Sequence, residues 1–233
     1  MRKYLFFLLN LLGISAVAQK IPSSERSRVA VARVMPALQQ ELSRGGFRWG
    51  SPLFIRIIKE KGVLECWLRK GNQFARFKTY PICHFSGELG PKTKQGDNQA
   101  PEGFYEVRPA QMNPNSSYHL SFNLGYPNAY DRAHGYTGSA LMVHGNCVSI
   151  GCYAMTDGKI EEIYTLMQAA FEGGQKVVQV HCFPFEMITE NLSKYADNKR
   201  FAFWQNLAVG YQLFEQNLTP PRVDVRSRKY VFE

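Results

Sequence analysis

The chain has 233 residues, of which 45% are apolar and 13% aromatic, so the composition excludes an intrinsically disordered protein and is sufficient for one sizeable core. It carries 28 lysine and arginine residues against 19 aspartate and glutamate residues, a formal charge of +9. Because the basic residues are scattered, the sequence disfavours nucleic acid as a partner and favours loose attraction to an anionic polymer such as that of a cell wall.

The first 18 residues are typical of an export signal. Arg2 and Lys3 provide a positive start, Tyr4 to Ile14 form an apolar segment, and Ala16-Val17-Ala18 is a small-residue cleavage site. Removing this segment leaves 26 basic residues against 19 acidic ones, a formal charge of +7. The apolar run is short for a membrane span, so we expect release as a soluble exported protein.

A helical stripe of apolar residues between positions 23 and 44 predicts an N-terminal helix that stops at Gly45-Gly46. Pro36 is expected to kink or divide it. From Leu53 onward, short β-rich runs predict a sheet or sandwich: LFIRIIKE, VLECWLRK, FARFKTYPICHF, GFYEVRP, YHLSFNLGY, SALMVHG and KVVQVHCF. The loop SGELGPKTKQGDNQAPEG, between two of these runs, is long enough to be functional.

One clear helix interrupts the strands, with Thr156 or Asp157 as its cap and Gly173-Gly174 as its stop. The stretch ENLSKYADNKRFAFWQNLAVGYQLFEQ predicts further helix, and KYVF near the end predicts a strand. These patterns predict an α+β protein. Its expected divisions are an export signal (1–18), an N-terminal helical arm (19–47), a β-rich domain (48–183) and a C-terminal helical extension (184–233).

The segment HGNCVSIGCYAMTD, residues 144–157, places a histidine and two cysteines close together. A zinc site there would use His144, Cys147 and Cys152 with His181 or Cys182, but structural zinc sites prefer tightly paired spacings that are missing here. Because the chain has five cysteines, at least one must stay unpaired. We expect disulfide bonding among four of them, without a choice of partners: Cys66, Cys83, Cys147 and Cys182.

A third interpretation makes Cys152 a nucleophile and His144 its base. Gly151 would let the backbone approach a substrate closely, and Ser149 would hold the loop by local hydrogen bonds. The positive end of the helix that begins near Thr156 is expected to lower the pKa of the Cys152 thiol. The remaining histidines are expected to have structural roles: His84, His119, His134 and His181.

The stretch VHGNCVSIGC resembles the active-site motif of the YkuD-domain L,D-transpeptidases, in which His-Gly precedes a Ser/Thr-x-Gly-Cys loop. The resemblance maps His144 to the family base and Cys152 to the nucleophile. Ser149 and Gly151 fall on the Ser/Thr and glycine positions. Upstream, APEGFYEV is similar to the family's TP-x-G-x-F strand entry, with Ala100 where threonine is common.

Two departures from the family pattern predict a remodelled substrate pocket. The interval from His144 to Cys152 is only eight residues, and Ala154 stands where many members carry arginine. Longer stretches resemble the YafK subgroup, a likeness that extends over residues 48 to 232: KTYPICHFSGELGPKTKQGD, PAQMNPNSSYHLSFNLGYPNAYDRAHG and GCYAMTD.

The resemblance implies a periplasmic peptidoglycan enzyme with a β-rich mixed-sheet catalytic domain and no metal or other cofactor. Family enzymes acylate their cysteine with a diaminopimelate carbonyl of a wall stem peptide, and the YafK subgroup is associated with hydrolysis. The implied substrate is peptidoglycan whose diaminopimelate is amide-bonded to the C-terminal lysine of an outer-membrane lipoprotein. Substrate-binding or oxyanion roles are expected at three residues: Ser149, Gly151 and Tyr153.

Two alternatives remain open from the sequence. The first is a transpeptidase that uses the same acyl-enzyme with an amine acceptor, forming wall crosslinks or attaching lipoprotein. The second is a noncatalytic wall-binding module, supported by the basic charge and by surface aromatic candidates such as Tyr118 and Tyr126.

Overall fold

The structure, a computed structural model, describes residues 20–233, and the predicted export signal therefore lies outside the described residues. In this range the helices are Glu25–Arg44 (α1), Ala129–Ala133 (α2), Asp157–Glu172 (α3), Thr189–Lys194 (α4) and Phe201–Asn217 (α5). The strands are Leu53–Ile58 (β1), Val63–Lys70 (β2), Gln73–Pro81 (β3), His84–Phe85 (β4), Gly103–Val107 (β5), Met112–Asn113 (β6), Ser121–Asn123 (β7), Met142–His144 (β8), Tyr153–Ala154 (β9), Val178–Phe183 (β10), Val223–Arg226 (β11) and Lys229–Phe232 (β12). Between residues 20 and 233, no helix has the length and apolarity needed to cross a membrane.

Two five-stranded mixed sheets and a terminal hairpin make up the β structure. The first sheet has the order β3-β2-β1-β10-β5, and the second has the order β4-β9-β8-β7-β6. Each sheet contains one parallel pair, β1 with β10 and β8 with β9. This arrangement confirms the predicted α+β class with mixed sheets.

Strand β1, in the centre of the first sheet, is buried on both faces because its side chains alternate between two apolar surroundings. Ile55 and Ile57 belong to the core cluster that includes residues of α1 and α3. Phe54 instead packs against Phe214 of α5, with ring centroids 4.6 Å apart. All six residues of β1 are consequently buried, which explains why its sequence is a continuous apolar run interrupted only by Arg56.

Helix α1 runs without interruption through Pro36, so of the two expected effects, a kink or a division, the division is wrong. Its start is fixed by a capping box between Ser24 and Ser27. Leu38 and Leu42 are buried in the core, and this tertiary packing outweighs the hydrogen bond that proline cannot donate.

The predicted C-terminal helix is divided in two, α4 and α5, by a turn over residues 195–200. Asn198 stabilises that turn, because its side-chain oxygen accepts the Arg200 N–H at 2.9 Å. The apolar side of α5, which includes Trp204 and Phe214, then covers the first sheet. The predicted final strand is present as β12 and pairs with β11.

A fully buried ion pair joins the first sheet to α5 and to the long loop that precedes β5. Lys59, at the end of β1, donates to Glu102 Oε1 at 3.0 Å, and both side chains are 0% exposed. The Lys59 Nζ also donates to three backbone carbonyls of the loop, those of Glu88, Gly90 and Ala100, each at 3.0 Å. Glu102 Oε2 accepts from the Trp204 indole at 3.0 Å, so the pair connects the end of β1, the loop before β5 and helix α5.

We predict that Lys59→Met lowers the free energy of unfolding by about 3–5 kcal/mol, because it leaves Glu102 charged, buried and unpaired. Urea denaturation followed by circular dichroism measures this change. The control is Lys61→Met, which removes the ion pair between Lys61 and Glu186. Because the Lys61 side chain is 53% exposed, this substitution should lower the free energy of unfolding by at most about 1 kcal/mol. Equal losses of stability in the two variants would contradict the stabilising role of the buried pair of Lys59 and Glu102.

Candidate active site

The two predicted catalytic residues lie on neighbouring parallel strands of the second sheet. His144 ends β8, and Cys152 immediately precedes β9. The register pairs Val143 with Tyr153 and His144 with Ala154. Paired residues of adjacent strands face the same side of a sheet, so His144 and Ala154 share a face. Since side chains alternate along a strand, Cys152, two residues before Ala154, faces that side as well. The predicted nucleophile and base thus lie on adjacent strands, at positions that face the same side of the sheet.

A backbone carbonyl sets the tautomer of His144. Its Nδ1 lies 2.6 Å from the Gly145 oxygen, and because a carbonyl only accepts, Nδ1 carries the hydrogen in this contact. The other ring nitrogen, Nε2, then has the lone pair that a base needs. The His144 residue is only 2% exposed, and burial lowers the pKa of its imidazole below the ordinary value.

The sulfur of Cys152 lies among backbone groups of residues 140–142. The Met142 N–H donates to Sγ at 3.4 Å, and the thiol contacts the Ala140 oxygen at 3.9 Å. Burial raises the pKa of the Cys152 thiol, while the Met142 N–H and the charge of Lys92 act in the opposite direction. The expected fall in this pKa was therefore wrong, because desolvation of the thiolate outweighs the stabilising contacts.

The loop before Cys152 is shaped by Ser149 and Gly151. Ser149 Oγ accepts the Gly151 N–H at 3.1 Å and donates to the Cys152 carbonyl at 2.7 Å. Gly151 adopts a φ of 143°, a conformation that side chains disfavour, so glycine is required here. Ser149 consequently holds the loop from inside, as the sequence predicted.

A disulfide between Cys83 and Cys147 fastens the other end of this loop to the chain just before β4. Cys66 and Cys182, expected to be disulfide-bonded as well, carry free thiols that are fully buried in β2 and β10. That part of the prediction was wrong, because small apolar side chains suit the interior of a packed sheet without any bridge.

The long loop 86–102 lies against the nucleophile loop and contributes a residue that the sequence did not single out. Lys92 is 4% exposed, and its Nζ donates to Asp97 Oδ1 at 2.5 Å. Asp97 also accepts the backbone N–H groups of Thr93 and Lys94, which fixes this segment. The length of the loop was the only sequence signal for such a role.

The profile of the YkuD family, described as the L,D-transpeptidase catalytic domain, matches residues 55–180. The chain belongs to the YkuD L,D-transpeptidase family. Its membership makes it a cysteine peptidoglycan enzyme. YafK of Escherichia coli (strain K12), a protein named for the L,D-transpeptidases, is 47% identical over 182 residues, covering 78% of this chain and 74% of YafK. YafK of Escherichia coli O157:H7 has the same identity and coverage.

Two solved structures share a more distant likeness with this chain. The helical cell shape determining protein Pgp2 of Campylobacter jejuni is 19% identical, with a TM-score of 0.47 and coverage of 80% of this chain and 79% of Pgp2. Bd1075 of Bdellovibrio bacteriovorus is 18% identical, with a TM-score of 0.42 and coverage of 76% and 78%. At these values neither structure bears on the activity of this chain.

Other residues proposed from the sequence occupy different places in this YkuD chain. The Tyr153 side chain is 0% exposed and donates to the Pro101 carbonyl at 2.6 Å. It therefore packs in the core and offers no side-chain contact to a substrate. Tyr126, expected at the surface, is 4% exposed because its ring packs under the loop that contains Lys92. Tyr118 is 41% exposed and lies beside His144.

We predict that iodoacetamide labels Cys152 alone and that the labelling rate rises with pH through a thiol pKa above the ordinary 9.0. Selectivity follows because Cys66 and Cys182 are 0% exposed and the other two cysteines form the disulfide. Mass spectrometry of the intact protein at a series of pH values measures both quantities. Cys152→Ala is the control and should take no label, and an inflection below pH 8 would contradict the raised pKa.

We predict that the double variant Cys83→Ser/Cys147→Ser loses about 2–4 kcal/mol of stability, because the bridge closes a loop with a sequence separation of 64 in the unfolded chain. Urea unfolding measures the loss. As a control, dithiothreitol should destabilise the wild type by a similar amount and leave the variant unchanged. A wild type insensitive to dithiothreitol, together with an equally stable variant, would show that the bridge does not contribute.

Proposed function

We propose that the protein is a periplasmic cysteine amidase that hydrolyses the amide between diaminopimelate of peptidoglycan and the C-terminal lysine of an outer-membrane lipoprotein. The observation that carries the proposal is the placement of Cys152 and His144 on one face of two adjacent strands, with the Nδ1 of His144 hydrogen-bonded to a carbonyl. Membership of a peptidoglycan enzyme family supports the polymer substrate. The choice of the lipoprotein-bearing amide and of water as acceptor rests on the sequence resemblance to the YafK subgroup, which is associated with hydrolysis.

The opposite pKa shifts of the two residues indicate how the reaction starts. Burial raises the pKa of Cys152 and lowers that of His144, so the resting pair is a neutral thiol and a neutral imidazole. His144 Nε2 therefore removes the thiol proton as Sγ attacks the diaminopimelate carbonyl carbon, and no thiolate is stored beforehand.

Collapse of the tetrahedral intermediate completes acylation. The carbon–nitrogen bond breaks, and the imidazolium of His144 gives its proton to the leaving lysine amine. A thioester to Cys152 remains. His144 then takes a proton from a water molecule that attacks the thioester carbon. The carbon–sulfur bond breaks, the imidazolium returns the proton to the departing sulfur, and the diaminopimelate carboxylate is released.

We assign the oxyanion contact to the backbone N–H of Cys152. The backbone amides near the sulfur that could fill this role are those of Gly151, Cys152 and Tyr153. The Gly151 N–H already donates to Ser149, and Tyr153 belongs to a strand that is paired on both edges. The Cys152 amide precedes that strand and belongs to the residue that attacks, which places it beside the developing charge.

A transpeptidase is the second candidate, since YafK carries that name. It would use the same acyl-enzyme and differ only in the acceptor, an amine in place of water. The noncatalytic alternative has less support, because Tyr126, one of the two surface aromatic residues proposed for wall binding, is buried.

We predict that the wild type releases intact lipoprotein from sacculi and that Cys152→Ala releases none while unfolding at the same temperature. The reason is that alanine cannot form the thioester, and its smaller side chain is tolerated at a partly exposed loop position. Released protein and muropeptides are analysed by mass spectrometry, with and without an added amine. Retained activity in the variant would overturn the cysteine mechanism.

The muropeptide analysis distinguishes the two candidate reactions. Free diaminopimelate carboxyl groups that appear together with released lipoprotein support the amidase. New crosslinks, or products joined to the added amine while lipoprotein stays bound, would replace the amidase with the transpeptidase.

A further inference from the structure

We propose that Tyr118 is a positioning residue for the base His144, and that helix α1 holds Tyr118 in place from the far side of its loop. The inference rests on the proposed function of His144 and extends the catalytic machinery to the N-terminal helix, which lies outside the active-site motif. It is carried by contacts around residues 116–120, the segment that we call the tyrosine loop.

The first contact is between the two rings. The centroids of the Tyr118 and His144 rings are 4.7 Å apart, with an angle of 31° between their planes. Tyr118 is 41% exposed, whereas His144 is 2% exposed, so the tyrosine is the more solvent-facing ring of the pair. A ring packed against the imidazole opposes rotation of the His144 side chain and covers part of its surface.

The next residue anchors the tyrosine loop to α3. His119 has a φ of 66°, unusual for a residue other than glycine. Its Nε2 lies 2.7 Å from Oε1 of Glu161, a buried residue of α3. Glu161 is in turn paired with Arg33 of α1. This unusual backbone conformation is thus kept by the contact of His119 with Glu161, whose carboxylate is held in turn by Arg33.

A second arginine of α1 binds the tyrosine loop directly. Arg26 Nη1 donates to the carbonyl of Ser116 at 2.7 Å and to that of His119 at 2.8 Å. On the other side, the Gly145 N–H lies 3.0 Å from the Tyr118 carbonyl. The backbone around Tyr118 is therefore held between α1 and the residue that follows the base.

The neighbouring arginine provides a matched control. Arg28 lies two residues from Arg26 on the same helix, but it pairs with Glu25 at the surface, and its side chain is 61% exposed. Substitution of either arginine by alanine removes one positive charge from α1. Only Arg26→Ala removes the hydrogen bonds to the tyrosine loop.

The test compares Tyr118→Leu, Tyr118→Phe, Arg26→Ala and Arg28→Ala in the full mature chain. We expect Tyr118→Leu to lower kcat for lipoprotein release by about 10- to 100-fold, because small misplacement of a catalytic group is costly. Tyr118→Phe keeps the ring and should restore the rate to within a few-fold of the wild type. Arg26→Ala should reduce kcat, whereas Arg28→Ala should leave it unchanged.

A readout that needs no substrate separates failure of this inference from failure of the proposed function. Proton NMR titration of His144 should show a higher pKa in Tyr118→Leu than in the wild type, because burial is what lowers it. Two other charged groups near the site, Lys92 and Asp157, are unchanged in all four variants. The melting temperature of each variant is measured to identify global destabilisation.

The outcomes are distinct. If no wild-type activity on lipoprotein is found but the His144 titration shifts in Tyr118→Leu and not in Tyr118→Phe, the positioning role stands and the substrate assignment fails. If Tyr118→Leu keeps the wild-type kcat and the wild-type titration, or if Arg26→Ala and Arg28→Ala behave alike, the positioning role is overturned.

Discussion

The buried pair of Lys59 and Glu102 is the constraint on which the rest of the structure depends. A lysine at the end of a central strand has no water available, so its three hydrogens must find acceptors inside the protein. The surrounding loop carbonyls and Glu102 provide them, and Trp204 completes the shell around the carboxylate. The loop 86–102, which lies against Gly151, is thereby held in place by hydrogen bonds to a buried lysine. A charge at the end of a strand in the first sheet thus fixes a loop that borders Cys152 in the second.

In the proposed catalytic pair, both side chains are held by backbone groups. A carbonyl of the adjacent residue orients His144, and an amide donates to the sulfur of Cys152. Burial opposes charge on both groups, which favours a neutral resting pair that transfers its proton during attack. The price of this arrangement is a lower thiolate population, and the benefit is a cysteine less open to adventitious oxidation.

Sequence patterns predicted the features that depend on local composition. Long apolar runs identified β1, β2 and β10, and helical spacing with a glycine stop identified α3. The proposed catalytic pair could be named from the sequence because both residues lie within one short motif. Strands of two residues, such as β6 and β9, have no periodicity to detect, and the break between α4 and α5 depends on a local turn. Partners joined only by the fold, such as Cys83 with Cys147 or Tyr118 with His144, required the three-dimensional structure.

Gly145 has a consequence for how the family motif can vary. Its carbonyl accepts from His144, its N–H faces the Tyr118 carbonyl, and a β-carbon on it would approach Asp157 Oδ1 to 2.5 Å and His119 Cβ to 3.1 Å. A larger residue at this position would therefore have to displace Asp157 and crowd His119. The glycine of the His-Gly motif thus has a local steric reason in this chain, since the residue that orients His144 lies where there is little room for a side chain.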